Sequence, residues 1–278
     1  MALDLALLVL LSAFLHASWN AIVKMGNDPL ATQALVFGTA ALLMLLATPF
    51  LPLPPPAARP FLLGSVGVHL AYLILLAAAY RHGDLSLVYP IARGVAPMLV
   101  AGLALVWPGE MLSPVETGGV VLVSAGIVLL AFSRGGAHGS TVALALATGI
   151  TIAVFTLLDG LGARRTGAVA PYLAWLFVLQ GIAFSALAVL WRGRAALAAI
   201  RTNWRRGVPG GLIAVAGYGI AVWAMTQTTL APVAALRESG VIMAAAMGTL
   251  WLGEPFGGRR ILAAAIVFAG VVALAFAT

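Results

Sequence analysis

Leu105-Val106-Trp107-Pro108-Gly109-Glu110 and Leu250-Trp251-Leu252-Gly253-Glu254-Pro255 are two versions of one signature: an apolar run containing Trp, then Gly-Glu. The two tryptophans lie 144 positions apart, and the same offset holds on either side. Upstream, Arg93 meets Arg237. Downstream, Gly126 meets Gly270, and Leu130-Ala131-Phe132 meets Leu274-Ala275-Phe276. Residues 61–132 thereby superpose on 205–276. Rare residues matching in order are hard to ascribe to an Ala/Leu-rich composition, so the chain carries an internal repeat. Before residue 61 the match is looser, at an offset of 136 that pairs Trp19 with Phe155.

Each copy is built from apolar runs of about 20 residues, the length that crosses a bilayer as a helix. Ten such runs lie near 4–24, 30–50, 61–80, 85–106, 115–132, 141–161, 170–191, 208–228, 232–251 and 260–277. The first, with only Asp4 as an early charge, lacks the basic start of a signal peptide and reads as a membrane helix. Turn chemistry fills the gaps. Pro52, Pro54, Pro55, Pro56 and Pro60 stiffen one loop, and Ser113-Pro114 is an N-cap followed by Pro at the first helical position. Period-2 alternation, which a barrel needs, is absent from the sequence. The expected fold is an all-α integral membrane protein of ten transmembrane helices in two inverted five-helix repeats. The repeats are residues 1–132 and 141–278, with 133–140 as the linker. Inversion follows from parity: five spans are odd, so the second copy starts from the opposite side. This is a layout of secondary transporters.

Composition narrows the function further. Of 278 residues, 63% are hydrophobic and 8% charged, and the mean hydropathy is +1.09. So few charges cannot cover a water-facing surface, so lipid is the first partner expected. The net charge of +7 is almost wholly arginine, placed mainly between apolar runs; that is membrane-flanking charge, and no nucleic-acid partner is expected. With no Cys and four unpaired His, no metal and no other cofactor is expected. No Walker A motif is present, and no nucleophile constellation is legible, so no catalytic residue is expected and an enzyme is disfavoured.

The Trp/Gly-Glu strings, with Gly126 and Gly270 in the helix that follows each, resemble the EamA-type members of the drug/metabolite transporter superfamily across the whole chain. The resemblance implies an exporter or exchanger of small metabolites in the bacterial inner membrane. It implies a central cavity lined by the first four helices of each half, with the fifth helices peripheral. Glu110 and Glu254 lie in loops, where a turn-closing role that satisfies helix-end groups is expected.

Ionisable groups inside a bilayer are costly and mark cavities or partners. His16, Asn20 and Lys24 are spaced by four on one helix face, with Trp19 beside it. Ser65, His69, Tyr72 and Tyr80 share a face of the third span. Tyr89 and Arg93 are one turn apart in the fourth, among Pro90 and Pro97. The second half offers Thr156, Asp159, Tyr218, Trp223, Gln227, Arg237 and Glu238. The expected substrate-binding set is His16, Trp19, Asn20, His69, Tyr72, Tyr80, Tyr89, Arg93, Thr156, Tyr218, Trp223, Gln227 and Arg237. His16, His69, Asp159 and Glu238 are the candidates for proton coupling. Two readings of the arginines stand: a fork that recognises an anion, or a buried ion pair with Glu238. Asp159 likewise is either a site residue or the partner of Arg164 or Arg165 at the membrane edge. Lys24 either joins the site or snorkels to the interface.

No carboxylate stands on the His16 face of the first helix, where a pump for lipophilic cations would use one. The expected substrate is a small anion or zwitterion, such as an amino acid or organic acid, moved as an exporter or exchanger by alternating access. A proton or counter-solute would drive it, with a monomer as the working unit. The alternatives are a membrane-embedded enzyme on lipid-linked substrates and a broad-specificity drug exporter. The repeat mates of His69, Tyr72 and Tyr89 are Ile213, Ala216 and Val233, so one side of the cavity is expected to be polar and the other apolar. Orientation divides the arguments. With the N-terminus inside, the outer loops and flanks would hold Lys24, Arg81, Arg134, Arg192, Arg194, Arg201, Arg205, Arg206, Arg259 and Arg260, against Arg59, Arg164 and Arg165 inside. Positive-inside therefore places the termini outside, whereas the resemblance implies both inside.

Overall fold

Ser113 and Glu116 begin a helix in the way their spacing predicts. The Ser113 N–H donates to Glu116 Oε2 at 2.8 Å, and the Glu116 N–H donates to Ser113 Oγ at 3.3 Å, closing a capping box around Pro114. The structure, a computed structural model, describes residues 1–24, 29–82, 85–131, 139–244, 246 and 258–277. Its helices are α1 (Leu3–Lys24), α2 (Pro29–Ala47, followed by a 3-10 turn at Thr48–Phe50), α3 (Arg59–His82), α4 (Leu85–Val106) and α5 (Pro114–Ala131). Then come α6 (Gly139–Arg164), α7 (Val169–Arg192), α8 (Arg194–Gln227), α9 (Leu230–Glu238) and α10 (Gly258–Ala275). No strand occurs among the described residues. Nine helices among them are long and apolar enough to cross a membrane. The chain is a multi-pass, all-α membrane protein.

Burial follows the logic of a lipid solvent. Leu42, Leu46, Phe50, Leu63, Phe268 and Phe276 stand more than half exposed, while Ala6, Ala13, Ala40, Ala79 and Ala153 are fully buried. Large apolar side chains face lipid and small ones let helices approach closely. Helix α5 lies along α10, α3 along α6, α2 along α7 and α8, α1 along α8, and α4 along α6, α5 and α9. At the α5–α10 seam, a Cβ on Gly126 would stand 2.7 Å from Val267 Cγ2 and 3.0 Å from Ala263 O. A Cβ on Gly270 would stand 2.8 Å from Val123 Cγ2 and 2.9 Å from Gly119 O. Ascending positions 119, 123 and 126 thus meet descending positions 274, 270, 267 and 263, so these two helices run antiparallel.

Two features depart from the expected spans. The ninth run, expected to continue to 251, breaks its helix at Ser239, and helical geometry resumes over 240–244. There the Ser239 hydroxyl donates to the Leu236 carbonyl at 2.6 Å, and Gly240 lies so close to α1 that a Cβ would stand 2.8 Å from Ala13 O. The eighth span lies where expected, at Gly207–Gln227, but its helix begins well before it. Helix α8 is continuous from Arg194, so residues 194–206 extend the membrane helix by a basic stretch. The side chains of Lys24 and Tyr80, together with Trp251, Gly253 and Glu254, lie outside the described residues.

Candidate functional site

Helix α9 is buried along its whole length and ends in Arg237-Glu238. Helix α4 carries Arg93 against it. The two guanidiniums converge on one oxygen: Arg93 Nη1 donates to Glu238 Oε1 at 3.0 Å, and Arg237 Nη2 donates to the same atom at 3.2 Å. The other arm of Arg93 meets Nε2 of His16 on α1 and lies 3.4 Å from the Tyr89 hydroxyl. A guanidinium only donates, so Nε2 of His16 accepts and its ring proton sits on Nδ1. Each arginine also lies over a tyrosine ring, Arg93 5.3 Å from Tyr89 and Arg237 5.4 Å from Tyr218. Arg93, Arg237 and Glu238 are 5%, 3% and 3% exposed, so this is a charge group held away from water. Three of its atoms, Arg93 Nε, Arg237 Nε and Glu238 Oε2, are buried with no protein partner.

A second carboxylate is linked to this group through Tyr218. Asp159 on α6 is fully buried and accepts from the Tyr172 hydroxyl at 2.9 Å and from the Tyr218 hydroxyl. Tyr172 reaches it through a notch at Gly162, where a Cβ would stand 2.8 Å from the phenol oxygen. On the neighbouring α3, His69 Nδ1 lies 2.9 Å from the Ser65 carbonyl, and the imidazole stacks on Phe155 at 3.8 Å. Since a carbonyl only accepts, Nδ1 of His69 carries its proton. Tyr72 meets the same Phe155 edge-on at 5.8 Å.

The pairing of Asp159 with Arg164 or Arg165 does not form. Five positions at about 100° each put residues 159 and 164 on different faces of α6. Arg164 instead binds Glu110 Oε1 at 2.5 Å, the Met225 carbonyl at 2.8 Å and the Thr228 carbonyl at 2.7 Å. The other oxygen of Glu110 accepts from the Leu230 N–H at 2.7 Å, which caps α9. Glu110 therefore closes helix ends, as its loop position suggested. Arg165 lies over Phe61, 4.2 Å from the ring centroid.

Of the expected binding residues, the structure gathers His16, Tyr89, Arg93, Tyr218 and Arg237 into one network, with His69 and Tyr72 beside it and Trp19 edge-on to His16 at 5.2 Å. Thr156 is buried a turn before Asp159. Asn20 turns back to its own helix and donates to the His16 carbonyl at 2.7 Å. Trp223 and Gln227 stand apart from this network. Trp223 is 40% exposed, and Gln227 is exposed and donates to Thr226. They lie five and nine positions beyond Tyr218, about 140° and 180° around α8, and so face away from the network. Tyr172 was not anticipated. The usable signal was a tyrosine near the start of an apolar span, whose hydroxyl needs a buried partner.

No family model matches the chain, and no curated protein matches it. A solved structure described only as the crystal structure of a protein is similar over 98% of this chain and 96% of its own, with a TM-score of 0.72 and 17% identity. That likeness is one of fold alone.

Proposed function

We propose that the chain is a secondary transporter of a small anion or zwitterion, of the EamA type, built from two inverted five-helix repeats and working by alternating access as a monomer in a bacterial inner membrane. The observation that carries this reading is the Arg93–Glu238–Arg237 group. It joins α4 of one half to α9 of the other, and His16 of α1 extends it. Two cations share one carboxylate, and unpartnered donors remain on both arginines. Such a group suits a ligand bearing a carboxylate or phosphate that meets the unpartnered arginine donors, and the unpartnered Glu238 Oε2 suits the ammonium of a zwitterion. Beside the cations, the Tyr89 and Tyr218 rings offer flat apolar faces for the body of the solute.

The register of α5 against α10 supports the inverted repeat. An offset of 144 converts the Gly126–Val267 contact into the Gly270–Val123 contact, and Gly126–Ala263 into Gly270–Gly119. Reciprocal contacts between antiparallel helices are what a two-fold axis lying in the membrane plane produces. The other pairings follow the same exchange: α3 on α6 corresponds to α8 on α1, and α4 on α6 to α9 on α1.

Counterflow in proteoliposomes tests the reading, with labelled monocarboxylates, dicarboxylates, amino acids, phosphate monoesters and lipophilic cations as a panel. Exchange of at least one anion or zwitterion is expected, with a raised apparent KM in Arg93→Lys, because lysine keeps the charge and loses the fork that reaches Glu238, His16 and Tyr89 together. Exchange of lipophilic cations alone, or of no solute, overturns it.

A further inference from the structure

Four intramembrane groups of the site can take up a proton in principle: His16, His69, Glu238 and Asp159. Their hydrogen bonds separate them. Protonating His16 would turn Nε2 into a donor facing the donor-only Arg93. Protonating Glu238 would remove the one anion shared by two guanidiniums. His69 already donates from Nδ1 to Ser65, and its ring face is covered by Phe155. Asp159 differs because its partners are hydroxyls: those of Tyr172 and Tyr218, with that of Ser65 also facing it. A hydroxyl donates to a carboxylate and accepts from a carboxylic acid, so this shell serves both protonation states by rotating a hydrogen.

The surroundings of Asp159 are otherwise sparse in charge. Helix α3 presents Ser65 and His69, α7 presents Tyr172, α8 presents Tyr218, α4 packs on α6 through Ala92 and Val95, and α9 contributes Arg237 across the Tyr218 ring. Asp159 also lies five residues before the end of α6, and Tyr172 three residues after the start of α7, so the carboxyl stands nearer a membrane face than Arg93 does.

Resting on the transporter reading, we infer that Asp159 is the proton carrier and that one proton binds together with one monoanionic substrate. The charge arithmetic leads there. With Asp159 ionised, Arg93, Arg237, Glu238 and Asp159 sum to zero. With Asp159 protonated, the group is +1, and a monoanion at the unpartnered arginine nitrogens returns it to zero. The empty, deprotonated form and the doubly loaded form are both neutral. Either half-loaded form buries a net charge, which a low-dielectric interior disfavours. The proton comes from the aqueous phase on the loading side and leaves to the other with the anion.

The test uses the full chain in proteoliposomes loaded with a pH dye, with pyruvate as the monoanion, malate as a dianion, alanine as a zwitterion and protein-free liposomes as control. Pyruvate entry should acidify the lumen by one proton per anion, at a rate unchanged when the membrane potential is clamped at different values. In Asp159→Asn, net pyruvate uptake should carry no proton and should become sensitive to potential, since the empty carrier is then +1. Asp159→Ser serves if the Asn variant does not reach the membrane, and Asp159→Glu should restore the proton flux. Proton movement in the neutral variants equal to wild type, or wild-type net pyruvate uptake with no proton, overturns the inference and leaves the transporter reading standing. Absence of exchange for every compound of the counterflow panel overturns both.

Discussion

Arg93 and Glu238 stand 145 positions apart in the chain, and their side chains meet at 3.0 Å with Arg237 on the same oxygen. One carboxylate therefore neutralises two buried cations. Glu238→Gln should cost about 3–5 kcal/mol, because it leaves both guanidiniums without an anion. Arg93→Gln should cost less, since Arg237 and Glu238 remain a matched pair. Thermal unfolding of the purified variants in detergent reads the order. Equal losses would contradict a shared carboxylate.

The seam of α5 and α10 predicts a sharp contrast between neighbouring glycines. Gly126→Ala places a methyl 2.7 Å from Val267 Cγ2 and 3.0 Å from a backbone oxygen, so the helices must separate. A loss of about 1–3 kcal/mol is expected for such overpacking. Gly118→Ala, on the same helix, meets nothing within 4 Å and should be neutral or slightly stabilising. Melting temperatures that fall equally for the two would refute the close packing.

The all-α, multi-pass character was legible because lipid imposes a length and an apolar composition on every span. The polar faces of α1, α3 and α4 were legible from spacing, and they supply His16, His69, Tyr89 and Arg93 to the network. Which partner each group chooses was not. Asp159 had basic neighbours in sequence, but helical rotation turned it to Tyr172 and Tyr218 instead. Trp223 and Gln227 are binding residues by type, and their places five and nine positions past Tyr218 on α8 set them apart from the network. The break at Ser239 has no proline or glycine in the turn before it, and it falls where α1 closely approaches Gly240.

Arg164 gathers three helix ends. It binds Glu110, the Met225 carbonyl near the end of α8 and the Thr228 carbonyl beyond it, while Glu110 caps α9. Arg164→Lys keeps the charge yet cannot serve three acceptors from a planar fork. A loss of about 1–3 kcal/mol in thermal unfolding is expected, since the freed carbonyls lie at partly buried helix ends. Glu110→Gln should lose less, because its amide oxygen can still accept from Leu230. A larger loss for Glu110→Gln than for Arg164→Lys would show that the ion pair, not the carbonyl contacts, holds the junction.

The length of α8 bears on orientation. Its 34 residues make about 51 Å of helix at about 1.5 Å each, well beyond a hydrocarbon core of about 30 Å. The stretch that meets the span criteria is Gly207–Gln227, so Arg194, Arg201, Arg205 and Arg206 belong to the part of α8 before it, with Trp204 and Arg205 exposed. A helix held upright over an anionic cytoplasmic leaflet gains from each arginine near the surface. The same side holds Arg259 and Arg260 at the start of α10 if the ten spans alternate. On the charge count, residues 194–206 are expected in the cytoplasm and both termini outside. A reporter fused after Thr278 should then read as periplasmic, and a cysteine introduced at Trp204 should resist a membrane-impermeant thiol reagent in intact cells. A cytoplasmic signal at Thr278 together with labelling at position 204 would reverse the assignment. The basic extension would then face outward, and the positive-inside rule would have failed for this chain.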